Sequence, residues 1–153
     1  MAKKPPKGET QNNEMSEKIL TEEQKKKAAE KIKKIPYPSL LGFELVDLKF
    51  GEATLKVKMR DELRQPYGVL HGGATASLID TAMAFACISC LPEGEKTTTI
   101  DLTVHYLRPV TEGEVFCTAK VVRAGKRILT VSAEVTNEEG KLVATSLSTY
   151  TKI

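Results

Sequence analysis

The chain has 153 residues, of which 41% are hydrophobic and 28% charged, so it is long enough for one domain with a buried core and does not have the composition of a disordered or fibrous protein. Its net charge of +3 is concentrated at the start: residues 1–34 hold ten Lys and six Glu, which is +4, so the remaining residues sum to −1. This distribution argues against nucleic-acid binding by the folded domain, and no membrane span is expected, because the apolar run 82–91 is too short to cross a bilayer.

Residues 1–17 are polar and are predicted to form a disordered tail, followed by a single domain over 18–153. A helix is predicted from about 21 to 34. Thr21 and Gln24 have the spacing of a capping box at its start, and Pro36 and Pro38 are expected to end it.

Beyond Leu41 the hydrophobic period changes from that of a helix to that of strands. Two strands are expected before a polar loop at 60–70, and then a central helix at about 71–90 that is rich in Gly, Ala and Ser. Four further strands are placed near 96–107, 114–123, 127–136 and 141–151. The breaks between these four are short, which predicts antiparallel hairpins between neighbours. The fold class is therefore α+β, one antiparallel sheet wrapped around one largely buried helix.

Two features of the central helix suggest chemistry. Gly72 lies at its start, where the backbone N–H groups lack partners and the helix dipole is positive, so its N–H could stabilise an oxyanion. Asp80 has no cationic neighbour on its own helix, and a buried carboxylate of this kind suggests a function. Structural interpretations remain open: a tight loop-to-helix junction at Gly72, and a core Asp80 bonded to a backbone donor or to Ser77.

Eight residues separate Gly72 from Asp80, about 12 Å along a helix. Both groups could act on one carbonyl if two copies packed their helices antiparallel about a two-fold axis, with two sites in each dimer. A homo-oligomer is therefore expected.

The segment Gln65-Pro-Tyr-Gly-Val-Leu-His71-Gly72-Gly73, followed by Leu-Ile-Asp80, resembles the hotdog-fold acyl-CoA thioesterases of the phenylacetate-type, 4-hydroxybenzoyl-CoA-thioesterase-like group. The resemblance covers about residues 36–152. It implies a five- to six-stranded hotdog fold, sites shared between subunits of a dimer or dimer of dimers, and an acyl-CoA substrate hydrolysed without a metal or redox cofactor. One departure is that Asp-bearing members usually carry Asn where this chain has Gln65, which leaves its branch of the group open.

The resemblance also implies roles for further residues. Asp80 would be the general base or the nucleophile, and Gln65 would position water or the carboxylate. His71 is expected to be mainly structural, with a possible contact to the thioester. Thr98 matches the position of a Ser or Thr near the carboxylate, although the alignment could shift to Thr97 or Thr99.

Four cations at strand ends are candidates for binding the phosphates of CoA: Arg108, Arg123, Lys126 and Arg127. They could equally be solvated turn residues. The cysteines, Cys87, Cys90 and Cys117, are odd in number and lack the paired spacing of a zinc site, which favours reduced thiols and a cytoplasmic location.

The sequence thus predicts an acyl-CoA thioesterase that releases a free acid and CoA. A non-catalytic acyl-CoA sensor, a hotdog hydratase or dehydratase, and a purely structural domain remain as alternatives.

Overall fold

The computed structural model describes residues 19–153, and the predicted disordered tail lies outside the described residues. Helix α1 (Glu22–Ile32) begins where the sequence predicts, because the capping box of Thr21 and Gln24 forms in both directions. Pro36 does not simply follow the helix but occupies the first turn of a second, short helix, α2 (Pro36–Leu41), where its missing N–H carries no penalty. Gly42, with φ of 75°, ends α2 in a left-handed conformation.

Two strands precede the third helix along the chain and four follow it, as the sequence predicts. Two strands, β1 (Glu44–Lys49) and β2 (Glu52–Lys58), precede a loop with a short 3-10 turn at Asp61–Leu63. Helix α3 (Gly72–Ser89) follows. The remaining strands are β3 (Thr97–Tyr106), β4 (Glu114–Ala124), β5 (Ile128–Asn137) and β6 (Leu142–Lys152).

All the strand pairs are antiparallel, in the order β1-β2-β4-β5-β6-β3. The prediction that β3 and β4 form a hairpin is therefore wrong, because β3 pairs with β6 at one edge and β4 lies between β2 and β5. The 107–113 connection crosses the ends of the intervening strands, where the N–H groups of Leu107 and Arg108 donate to Val143 O at 2.9 and 3.2 Å. A short connection can thus span two strands when it runs across the sheet end.

Helix α3 contacts all six strands and has two different faces. Its sheet side is buried and contains the larger side chains, among them Leu78, Ile79, Met83 and Phe85. Its other side carries small residues that are only partly covered, including Ala76, Ser77, Asp80 and Ala84. The predicted arrangement of one long helix against one antiparallel sheet is confirmed.

By length and composition α3 also qualifies as a candidate membrane span, with a mean hydropathy of 1.2 over 18 residues, which the sequence-based expectation of no span did not anticipate. Half of that window is buried inside the fold. A core helix has the same properties, so this feature carries little weight.

Candidate active site

The carboxylate of Asp80 lies half-buried on the outward side of α3 and is held by two hydroxyl groups. Thr99 Oγ1, from β3, donates to Asp80 Oδ1 at 2.7 Å. The Tyr150 hydroxyl, from β6, lies 2.7 Å from the same Oδ1 and 2.8 Å from the backbone carbonyl oxygen of Asp80, and donates its one proton to these two acceptors. The structural alternative for Asp80 expected a hydrogen bond from a backbone N–H or from Ser77. The donors in the structure are instead the hydroxyl groups of Thr99 and Tyr150.

The second carboxylate oxygen of Asp80, Oδ2, has no hydrogen bond from any residue between 19 and 153. It is also accessible, since the described residues include no buried side-chain oxygen without a partner. The two oxygens of Asp80 therefore differ: one is fixed by hydroxyl groups and the other is open.

The phenol of Tyr150 is a permanent donor to this carboxylate. Its side chain is 1% exposed, and burial, assisted by the hydrogen bond and charge of Asp80, raises its pKa far above the ordinary value. The hydroxyl consequently stays protonated around neutral pH and remains a donor.

Of the three adjacent threonines that the sequence left open, Thr99 contacts Asp80, and not the first choice, Thr98. Alternation along β3 turns Thr99 toward α3, opposite Tyr150 in the β3–β6 register, and leaves Thr98 exposed on the other side. The sequence alone left three adjacent threonines open, because periodicity cannot fix which member of a Thr-Thr-Thr run faces the helix.

At the start of α3, eight residues before Asp80, the backbone is arranged around one unpaired N–H. His71 is the N-cap, and its Nδ1 accepts from Gly73 N at 2.8 Å, which gives it the structural role that was expected. The N–H groups of Ala74 and Thr75 both donate to His71 O, at 2.9 and 3.2 Å. Within the described residues the N–H of Gly72 has no hydrogen-bond acceptor, so it is the donor left available to a ligand.

Tyr106 fixes this helix start from the side of β3. Its hydroxyl donates to Gly72 O at 2.9 Å. A Cβ on Gly72 would lie 3.3 Å from the Tyr106 ring, so part of the reason for glycine here is close packing.

Gln65 lies beside Gly72 in a cavity of about 340 Å³ that Tyr106 and Arg108 also line. A tight turn holds the backbone of Gln65, since its N–H donates to Val69 O and its carbonyl accepts from Gly68 N, both at 2.9 Å. The structure therefore brings three predicted site residues together: Gln65, Gly72 and Arg108.

Asp80 is not part of that cavity. It lies about 12 Å further along α3, counting about 1.5 Å for each of eight residues. One protomer thus carries an amide half of a site at one end of the outward face of α3 and a carboxylate half further along it.

The four candidate phosphate-binding cations do not form one cluster, which corrects the sequence-based grouping. Arg108 is at the end of the sheet where β6 begins, next to Val143, whereas Arg127 accepts a backbone hydrogen bond from Lys152, where β6 ends. About 30 Å of strand separates these ends, at about 3.3 Å for each residue. Arg123 and Lys126 lie with Arg127 around the β4–β5 connection, and all four side chains are exposed.

The three cysteines are free thiols. Burial raises the pKa of Cys117 to about 12, and burial, with smaller effects of Cys90 and Asp80, raises that of Cys87 to about 12. These values indicate packed thiols rather than nucleophiles. Among residues 19–153, no three His, Cys, Asp or Glu side chains are placed to hold a metal ion.

A family model described as the thioesterase superfamily matches residues 67–144, about half of the chain, and this match contains the whole of α3 with its N-cap. The chain belongs to the thioesterase superfamily. Its fold is the hotdog fold, and it is an enzyme of thioester hydrolysis.

Several members of this superfamily are similar over most of their length. Human acyl-coenzyme A thioesterase 13 is 33% identical over 102 residues, which is 65% of this chain and 72% of that protein. A thioesterase from Haemophilus influenzae has a solved structure that matches with a TM-score of 0.79 and 29% identity, covering 89% of this chain and 92% of that one. The PaaI protein from the phenylacetic acid degradation operon of E. coli matches with a TM-score of 0.77 and 26% identity, covering 84% and 91%.

Sequence reasoning missed Tyr150 and Tyr106 as parts of the site. The strand alternation places Tyr150 among core residues of β6, so the pattern alone predicts packing. Its contact with Asp80 depends on the β3–β6 pairing, which the wrongly predicted hairpin concealed.

Proposed function

We propose that this thioesterase hydrolyses an acyl-CoA to a free acid and CoA, at two identical sites that form between the protomers of a homodimer. Each site combines Gly72 and Gln65 of one protomer with the partner's Asp80. The observation that carries the proposal is the division of one helix face into an unpaired N–H and an open carboxylate oxygen too far apart to reach one carbonyl.

An antiparallel pairing of two α3 helices would join these halves. When residue 72 of one helix lies opposite residue 80 of the other, residue 76 lies opposite itself, as a two-fold axis requires. The outward face of α3 suits close approach because Ala76 and Ala84 are small. The free edge of β3, which pairs only with β6, would allow the two sheets to continue into one another.

In this site the thioester carbonyl accepts a hydrogen bond from Gly72 N–H, which strengthens as negative charge develops on the oxygen. Oδ2 of the partner's Asp80 either removes a proton from a water that attacks the carbonyl carbon, or attacks that carbon itself to form an anhydride that water then cleaves. The C–S bond breaks, the thiolate of CoA leaves and takes a proton, and Gln65 orients the water or the carboxylate.

The same dimer would bring the separated cations to one substrate. Arg108 belongs to the amide end of a protomer, and the β4–β5 connection with Arg123, Lys126 and Arg127 belongs to the carboxylate end. Antiparallel pairing places these ends of two protomers side by side, where they could bind the phosphates of CoA.

The names of relatives support a CoA thioester. Acyl-coenzyme A thioesterase 13 is one, and a 1,4-dihydroxy-2-naphthoyl-CoA hydrolase from Listeria monocytogenes is 26% identical over 109 residues, which is 71% of this chain and 89% of that protein. We propose an aryl, phenylacetyl-like or medium-chain acyl group, a cytoplasmic location and no metal or redox cofactor.

The test is release of free thiol from a panel of acyl-CoAs by wild type and Asp80→Asn. The variant should lose at least about 100-fold in kcat, the scale of a general base, while its oligomeric mass stays unchanged. Asp101→Asn is the matched control, since Asp101 is exposed on β3 and, among the described residues, its carboxylate accepts only from Thr149 N. Wild-type turnover by Asp80→Asn would refute the carboxylate role, and acyl-CoA binding without any turnover by wild type would favour a sensor.

A further inference from the structure

The hydroxyl group of Tyr150 has no part in the reaction as described so far. Among the described residues, however, Tyr150 and Thr99 are the two whose side chains hydrogen-bond to the carboxylate of Asp80. It reaches both the carboxylate and the backbone carbonyl of the same residue, at 2.7 and 2.8 Å. A donor that binds one residue at two points restricts both its side-chain rotamer and its place on the helix.

We infer that Tyr150 and Thr99 are positioning residues that hold Asp80 by Oδ1 and so assign the reacting role to Oδ2. This inference rests on the proposed role of Asp80. It deepens that role by naming the oxygen that acts and the two hydroxyl groups that select it.

The placement of Tyr150 makes it a rigid support. Tyr150 is 1% exposed near the end of β6, opposite Leu129 of β5 on one side and Thr99 of β3 on the other. Packing on both sides fixes the ring, so its hydroxyl is pre-organised and loses little freedom on binding the carboxylate. Thr99 adds a second donor to the same oxygen from the neighbouring strand.

An ionised carboxylate oxygen is a stronger hydrogen-bond acceptor than the oxygen of a neutral acid, so both donors bind Asp80 best in the form that can act as base or nucleophile. They also leave the lone pairs of Oδ2 for water or for the carbonyl carbon.

Few other titratable groups surround Asp80 in the described protomer. Burial raises the pKa of Cys87, on α3, to about 12, so this thiol is neutral. The Tyr37 hydroxyl, on α2, shares a hydrogen bond with the Ser77 hydroxyl, about one helical turn before Asp80. In the proposed dimer the partner's His71 also lies near. The effect of Tyr150 must therefore be measured as a change between variants and not read from one pH profile.

The experiment measures kcat and kcat/KM from pH 4 to 9 for Tyr150→Phe, which removes only the hydroxyl. We expect the acidic limb of the pH profile to move to higher pH by about one unit, the scale of one hydrogen bond to a charged group. The kcat at the plateau of the profile should fall roughly tenfold, with little change in KM. Thr99→Val, which keeps the shape of the side chain, should move the limb in the same direction and serves if Tyr150→Phe folds poorly.

Two variants control for simple loss of stability. Ser148→Ala removes another buried hydroxyl from β6, one that donates to Asp101 O, and Thr103→Val makes the same change as Thr99→Val at an exposed position of β3. Both should leave the limb in place whatever they do to the melting temperature. An unchanged limb in both Tyr150→Phe and Thr99→Val would overturn the inference.

Asp80→Asn separates this inference from the proposed function. If Asp80→Asn is inactive while Tyr150→Phe and Thr99→Val keep the wild-type profile, the positioning role fails and the carboxylate role stands. If Asp80→Asn is fully active, the carboxylate role fails, and the positioning role fails with it.

Discussion

The two backbone groups of Gly72 have different surroundings. Its carbonyl is held by Tyr106 and its N–H is left unpaired, while the neighbouring Gly73 N–H is taken by His71. The N-cap of α3 therefore leaves one backbone donor at the helix start, on a glycine that lines the same cavity as Gln65. We attribute oxyanion stabilisation to this single group.

Removal of that N–H should lower turnover without breaking the helix. Gly72→Pro deletes the donor, proline suits the first position of a helix, and His71 before it already has the extended conformation that proline requires, with ψ of 132°. We expect kcat to fall about 100-fold or more, the scale of one oxyanion donor, measured by thiol release.

Gly72→Ala is the control for this change. It keeps the N–H but adds a Cβ 3.3 Å from the Tyr106 ring, so it reports the effect of crowding alone. If alanine and proline reduce kcat equally, packing against Tyr106 and not the lost donor explains the glycine.

At the residue scale, the sequence predicted the candidate site residues that can be recognised from a short stretch of the chain. Gly72 and Asp80 became candidates because an unpaired helix start and a lone helix acid are visible along the chain, and their roles stay predictions. Tyr150 was not predicted, and Thr99 was named only as an alternative to Thr98, because their contacts with Asp80 depend on which strands pair and in what register, and neither follows from alternation within one strand.

At the element scale, α3 is the component that joins fold and function. Large side chains bury one face against all six strands, and small ones leave the other face smooth around Asp80. The strands and both long helices were predicted from periodicity. The α2 helix was missed because Pro36 was read as a stop, although proline also starts helices, and the β3–β4 hairpin was wrong because a short connection does not determine strand order.

The outward face of α3 should be the dimer contact. Ala76→Arg places a large cation where the two-fold axis would make it meet its own copy, so association should weaken about 100-fold or more through crowding and like-charge repulsion. Sedimentation should then show a folded monomer, with turnover lost in parallel.

Thr111→Arg is the control at the element scale, because Thr111 is exposed in the connection between β3 and β4, next to acidic residues. It should keep the wild-type mass and turnover. An Ala76→Arg variant that remains a fully active oligomer would place the contact elsewhere.

At the scale of the whole molecule, the proposed sharing of the site between protomers would account for the distance between its groups within one protomer. The amide half and one cation lie at one end, and the carboxylate half and three cations lie towards the other. Each half has a defined geometry of its own, and a two-fold axis would complete two sites at once. The spacing of about 12 Å predicted an oligomer, which stays a prediction, whereas the opposite placement of the cations required the sheet topology.

Complementation between two inactive variants tests the shared site most directly. Heterodimers of Asp80→Asn and Gly72→Pro protomers, purified through a different tag on each chain, contain one site with both halves intact and one with neither. They should show about half of the wild-type turnover, although each parent homodimer has almost none. If purified heterodimers are no more active than the parents, the two halves do not act across the interface, and the shared site is contradicted.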